Sequence, residues 1–261
     1  MSYYIPLKDY FDRNLAQLLS KKITAIYPDF PSDSFIIRVG EQVEGLELKR
    51  RVEMITLEFH KALNLPYEEA IQVIKQILGP ENEAEQGMFT NGYYLMPIAH
   101  YVERFGLDHF DLSMDALYEI TKRHTSEYAI RPFLNKYERN VIEILNYWIK
   151  DRNPHVRRLV SEGTRPRLPW AKHIDVLCGD TYMNLGLLEK LITDNSPYVR
   201  KSVGNHINDL SKIHPDEVLE WAKIMYTLHG SGVEWVVKRG LRSLITDKNP
   251  DAMEILVMME E

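Results

Sequence analysis

Apolar residues return every three or four positions along most of this chain, the spacing of one buried face on an α-helix. Residues 67–78 carry the pattern clearly: Ala70, Ile71, Ile74, Ile77 and Leu78 fall on a single stripe. Asp115–Thr121, Val141–Ile149, Leu185–Ile192, Val218–Met225 and Val236–Ile245 read the same way. Alternating β-branched runs are scarce. Asn91-Gly92, flanked by Phe89 and Tyr93-Tyr94, reads as a loop leading into a helix and not as a hairpin turn. Prolines break the pattern at Pro28/Pro31, Pro66, Pro80, Pro154, Pro166/Pro169, Pro197, Pro215 and Pro250. In Asn153-Pro154 and Ser196-Pro197 a capping residue precedes the proline, which suits a first helical turn. The expectation is an all-α fold.

The helices repeat. Asp151-Arg-Asn-Pro-His-Val-Arg-Arg-Leu-Val aligns without a gap on Asp194-Asn-Ser-Pro-Tyr-Val-Arg-Lys-Ser-Val, at an offset of 43 residues. Trp235-Val-Val-Lys-Arg-Gly-Leu-Arg242 is a weaker third copy. A period of roughly 40–47 residues, built from helix, turn and helix, is the pattern of HEAT-type repeats. One helical pair cannot bury its apolar face alone, so neighbours stack. This predicts a right-handed solenoid of HEAT-like repeats, with the second helix of each pair lining a concave face. Arg157, Arg200 and Lys238 then recur at one place in successive repeats. They read equally well as a phosphate-binding stripe and as solvated or ion-paired helix residues.

The formal net charge of −6 argues against a nucleic-acid partner only as an average. Residues 1–121 hold 11 Lys/Arg against 19 Asp/Glu, and residues 122–261 hold 21 against 19. A local basic patch attracts anions even on an acidic protein, because salt screens beyond about 8–10 Å. The basic residues are densest from His155 to Trp170, where Arg157, Arg158, Arg165 and Arg167 accompany the lone acid Glu162. Arg165-Pro-Arg-Leu-Pro cannot continue a helix. The spacing therefore predicts a rigid loop after Gly163, with arginines turned out toward phosphates. Trp170 reads either as a core anchor or as an indole face offered to a base or a cation. Glu162 reads as a helical salt bridge to Arg158 or as a carboxylate held against nucleic acid. Asp209 could pair with Lys212 or serve a site, and Glu127 is a capping-region acid or a site residue. A single cysteine, Cys178, excludes an intrachain disulfide and reads as a buried small residue. No apolar run reaches the roughly 20 residues of a membrane span, and no signal peptide is evident. A reducing cytoplasm is the default. Nucleotide-loop, zinc-protease and nucleophile-elbow motifs are missing, so no metal or cofactor is expected.

Four strings together resemble the AlkC branch of the bacterial AlkC/AlkD alkylpurine DNA glycosylases. They are Ser126-Glu-Tyr-Ala-Ile-Arg-Pro-Phe-Leu, His155 through Trp170, Val199-Arg-Lys-Ser-Val-Gly-Asn-His-Ile-Asn-Asp, and Trp235-Val-Val-Lys-Arg-Gly-Leu-Arg-Ser-Leu-Ile. The resemblance runs from Tyr27-Pro-Asp-Phe to the C-terminus. It implies a single HEAT-like repeat domain, with an acidic helical part over 1–112 and the motif-bearing repeats over 113–261. Some relatives add an immunoglobulin-like domain after the repeats; the resemblance here is to the shorter form, so none is expected. Tyr93 and Met96 stand where relatives carry tryptophans.

The activity implied is excision of cationic N3-alkylated bases, chiefly 3-methyladenine and 3-methylcytosine, from double-stranded DNA. Such enzymes use no conventional base-flipping pocket. By the same resemblance Glu127, Glu162 and Asp209 are the catalytic acids, one per successive repeat. Trp170, Asn205 and His206 are candidates for base and sugar contact. Arg157, Arg158, Arg165, Arg167, Arg200, Lys238 and Arg239 would hold phosphates. A monomeric bacterial protein, at the nucleoid when bound to DNA, is expected. The rival reading is a non-catalytic HEAT scaffold that binds DNA or protein.

Overall fold

A computed structural model of the protein describes residues 5–85 and 92–260. Asn91 and Phe89, assigned above to a loop, lie outside the described residues. Among those described the secondary structure is helical, without strands. The chain divides into two compact units, Met1–Pro132 and Phe133–Glu261. No helix among the described residues is long and apolar enough to cross a membrane.

The first unit holds α1 (Arg13–Thr24), α2 (Ser32–Gln42), α3 (Leu48–Leu63), α4 (Tyr67–Ile77), α5 (Met96–Phe105) and α6 (Phe110–Thr121). Helix α1 starts at Asp12, whose carboxylate accepts the N–H groups of Asn14 and Leu15. The stripe read in α4 is the buried one: Ala70, Ile71 and Ile74 are fully enclosed. Packing runs from α1 to α2 to α3 to α5, with α4 against α6. The rings of Phe30, Phe35, Phe59 and Tyr101 interlock at its centre. Burial pushes the Tyr101 phenol up to about 12. Tyr93 packs edge-on against Tyr10 and Phe11, so this ring serves the fold of the first unit.

Helix α7 (Arg131–Trp148) leaves helical geometry at Tyr137. The second unit continues with α8 (Pro154–Gly163), α9 (Thr181–Glu189), α10 (Pro197–Leu210), α11 (Pro215–His229), α12 (Ser231–Thr246) and α13 (Pro250–Met258). Four of these begin on a proline whose missing N–H costs nothing in a first turn. Asn153, Ser196 and Asn249 cap three of them through their side chains. Helix α10 lies between α8 and α12, while α11 packs on α9 and α13. The helices thus form two stacked layers, as repeats require. Gly240 lets α12 close on α10, since a Cβ there would collide with Ile207.

The repeat motif is a turn that ties itself shut and then ties to its neighbour. Asp151 Oδ1 accepts the N–H of Asn153 at 2.7 Å, and Asp194 Oδ1 accepts that of Ser196 at 2.8 Å. Six residues on, Arg157 donates to the Asp151 carbonyl at 2.8 Å, and Arg200 donates to that of Asp194. Arg157 also grips the Asp194 carboxylate with two bonds, at 2.6 and 2.9 Å. Of the two readings of this stripe, the structure shows the intramolecular partners. Arg157 and Arg200 close repeat turns, and Lys238 pairs with Glu234 one helical turn earlier at 2.6 Å.

Candidate active site

Helix α8 ends where Thr164 bonds back to the Val160 carbonyl at 2.7 Å. The loop that follows is anchored at both ends by one buried side chain of α9. Asn184 Oδ1 accepts the N–H of Leu177 at 2.8 Å, and its amide donates to the Thr164 carbonyl at 3.3 Å. Leu168 is buried within the loop, whereas Arg167 and Trp170 are exposed. Trp170 is 62% exposed and adopts a left-handed φ of 64°. That conformation costs a non-glycine residue about 1–3 kcal/mol and persists only where the surroundings enforce it. The core-anchor reading of Trp170 is set aside, because its indole is presented to solvent. Cys178 is also exposed, contrary to expectation. It sits at a left-handed φ of 54° in a short turn, with its N–H bonded to Glu138. Burial and then Glu138 push its thiol up.

Arg165 corrects the prediction of an outward phosphate contact. The residue is 6% exposed and turns inward. Its Nε donates to Asp209 at 2.8 Å, with Nη2 on the second Asp209 oxygen at 3.2 Å, and its Nη1 donates to Glu162 at 2.6 Å. Glu162 and Asp209 are thereby held together by one guanidinium. Arg158 stands 3.5 Å from the same Glu162 oxygen and lies over the Tyr198 ring. The remaining Glu162 oxygen accepts from Ser202 of α10 at 2.5 Å. Burial alone would raise the Glu162 carboxyl, but Arg158, Arg165 and the Ser202 hydroxyl outweigh it and hold it below the usual carboxylate range. Glu162 is therefore ionised at neutral pH. Asp209 is paired with Arg165 and not, as its spacing suggested, with Lys212.

Beneath this cluster His206 is fully buried. Its Nδ1 faces the Ser161 carbonyl at 2.9 Å and must donate to it. Its Nε2 then accepts from Asn184 at 3.1 Å, so the imidazole is neutral and supports the loop anchor. Asn205 is half-buried and accepts from Arg239 at 3.1 Å. Glu127 belongs to the first unit, buried in the turn before α7, where Thr125 donates to it at 3.0 Å. The structure thus joins Glu162, Asp209, Arg158 and Arg165 in one cluster of the second unit.

Residues 117–232 match the family described as DNA alkylation repair enzyme. A Bacillus subtilis (strain 168) protein, YhaZ, is 37% identical over 251 residues, spanning 95% of this chain and 67% of that one. The Pseudomonas fluorescens alkylpurine DNA glycosylase AlkC, bound to DNA containing an abasic site analog, superposes with a TM-score of 0.86. The match covers 97% of this chain and 69% of that one, at 31% identity. This chain belongs to the AlkC branch of the DNA alkylation repair enzymes. It is a DNA glycosylase of helical-repeat fold.

In this AlkC-type chain, spacing alone passed over Ser202, Ser161, Asn184 and Arg242. The two serines and Asn184 carry no charge and sit on helices whose apolar stripe dominates the pattern. Arg242 left a usable signal: it follows Arg239 by one helical turn, and no acid accompanies the two on that face of α12.

Proposed function

We propose that this glycosylase hydrolyses the N-glycosidic bond of cationic N3-alkylated bases in double-stranded DNA, 3-methyladenine and 3-methylcytosine foremost. The observation that carries the reading is the Glu162–Arg165–Asp209 cluster. A carboxyl held below its usual range has no proton to give at neutral pH, so Glu162 is a poor general acid. The reaction it suits is one that needs no acid. An N3-alkylated base is already positive and leaves without protonation. The demanding species is the oxocarbenium-like deoxyribose, which fixed negative charge stabilises.

Arg165 keeps the two carboxylates in place without drawing them into the core. Glu162 and Asp209 are as enclosed as Arg165, each keeping only a narrow exposed edge, at 6% and 5%, so they would act on a sugar through the fixed charge behind that edge. The same edges can orient the attacking water. Exposed Trp170, on a loop anchored by Asn184, offers its ring face to the charged base.

The test is single-turnover release of bases from methylated duplex, identified by mass. Glu162→Gln and Asp209→Asn should each slow release of 3-methyladenine at least tenfold with folding intact. Unchanged release in both would sink the mechanism. The same assay ranks 3-methyladenine, 3-methylcytosine and 7-methylguanine.

A further inference from the structure

Trp170 occupies a backbone position that suits a smaller residue. The Ala171 N–H donates to the Leu168 carbonyl at 3.2 Å, so Leu168-Pro169-Trp170-Ala171 is a β-turn. Proline stands at its second position, and the third has a left-handed φ of 64°. That is the type II pattern, which takes glycine or asparagine at the third position. The indole is exposed, so its own burial does not hold the turn in this form.

The loop around the turn is tied more firmly than its surface position requires. Within it the Ile174 N–H donates to the Pro166 carbonyl at 3.2 Å, and Leu168 is buried. Both ends then meet at Asn184 of α9, which is fully enclosed. Its Oδ1 takes the Leu177 N–H, and one amide proton goes to the Thr164 carbonyl. The second amide proton goes to Nε2 of His206 on α10, whose Nδ1 donates to the Ser161 carbonyl of α8. One side chain thus ties the loop to the helices that carry Glu162 and Asp209. An amide accepts from one group and donates to two others at once, which Asp or Leu of similar size does not do. Glutamine is a methylene too long for so closed a site.

We propose that Asn184 is a positioning residue for base excision, a role that rests on Glu162 and Asp209 being the reaction centre and Trp170 the base contact. Asn184 holds the strained turn, so the indole meets the charged base without first having to be ordered. A ring fixed beforehand loses no loop freedom when the base arrives. A loop released at its ends lets Trp170 leave the left-handed region, which non-glycine residues seldom occupy.

The test compares wild type, Asn184→Ala, Trp170→Ala and the double variant, all as full chains well below their melting temperatures. Trp170→Ala should slow single-turnover release of 3-methyladenine about tenfold, the size of a desolvated cation–π contact. Asn184→Ala should slow it to a similar extent, while affinity for unmodified duplex stays within about twofold of wild type. In the Trp170→Ala background the same change should cost less than about twofold, because the ring it positions is gone. A cost that persists in that background overturns the positioning role, and so does an undiminished rate in Asn184→Ala or in Trp170→Ala. Fluorescence anisotropy decay reads the ring directly. It is recorded on Trp235→Phe versions, which leave Trp170 as the exposed indole beside the buried Trp148 and Trp221. Asn184→Ala should add a nanosecond component to the decay, and an unchanged decay overturns the role. Should Asn184→Ala fail to fold, hydrogen exchange of the wild type decides. The Leu177 N–H should exchange as slowly as the amides of α9, and exchange at the rate of a free loop overturns the anchor. A wild type that releases no base ends the glycosylase reading, while the anchor still stands or falls by the decay and the exchange.

Discussion

Ser202 has one proton and two oxygens within reach of it. Glu162 Oε2 lies 2.5 Å away and Ser161 Oγ 3.0 Å away. An ionised carboxylate can only accept, so the Ser202 proton goes to Glu162, and Ser161 supplies its own to Ser202. The bond from Ser202 is one of the causes that hold the Glu162 carboxyl low. The groups facing that carboxyl are Arg158 on its own helix, Arg165 on the loop, which also holds Asp209, and Ser202 on α10. A group whose folded-state value is depressed stays charged as the pH falls, until the pH reaches that lowered value. Release should therefore hold level from neutral pH into the ordinary carboxylate range. Ser202→Ala removes one charge-assisted hydrogen bond, worth roughly 1.5 kcal/mol, or about tenfold. Its acid limb should move to higher pH, leaving release near wild type at pH 8. An unmoved limb would show that Ser202 does not tune Glu162. Trp170 and Glu162 could be singled out in the sequence because an aromatic and an acid inside a basic run are chemically out of place. Arg165 was misread for the same reason: its neighbours promise a basic loop, and its two acid partners become visible only when α10 is folded against α8.

Helices meet here at the distance set by the repeat. The offset of 43 residues that aligns Asp151 with Asp194 sits among the separations of the bonds that join one repeat to the next. Arg165 and Asp209 are 44 apart, Ser161 and Ser202 are 41, and His206 and Ser161 are 45. The period was legible in the sequence, and so were most second-unit helices, because proline and a capping residue mark their starts. The function of the repeated Asp and Arg was not legible. A basic residue recurring on one helix face looks alike whether it waits for phosphate or closes a turn. Asp194 decides between them, since it accepts from Ser196, from Arg157 through two bonds, and through its carbonyl from Arg200. Asp194→Ala strands the largely enclosed Arg157 and opens the turn ahead of α10. It should destabilise the protein by about 2–3 kcal/mol. Urea unfolding should show an earlier midpoint with an unchanged m-value. A loss below about 0.5 kcal/mol would mean that the motif does not hold the repeats together.

Over the whole molecule, a net charge of −6 coexists with a DNA-repair role because the charge is unevenly used. The acidic excess belongs to residues 1–121. In the second unit the cations divide into two groups with opposite duties. Arg157 and Arg165 are tied to Asp194, Glu162 and Asp209, and their charges are spent inside the fold. Arg167 is exposed on the anchored loop, and Arg239 and Arg242 face neutral oxygens. Counting every arginine of the basic run as a phosphate contact therefore overstates the grip on DNA. The two groups should separate in a pair of measurements on each variant. Arg167→Gln should lower the salt slope of duplex binding by about 0.9, because one phosphate contact is lost, and should leave the melting temperature within a degree or so of wild type. Arg157→Gln should do the reverse, lowering the melting temperature by several degrees while its slope, measured well below melting, matches wild type. A reduced slope in Arg157→Gln would return that residue to the DNA surface. An unchanged slope in Arg167→Gln would take the loop off it.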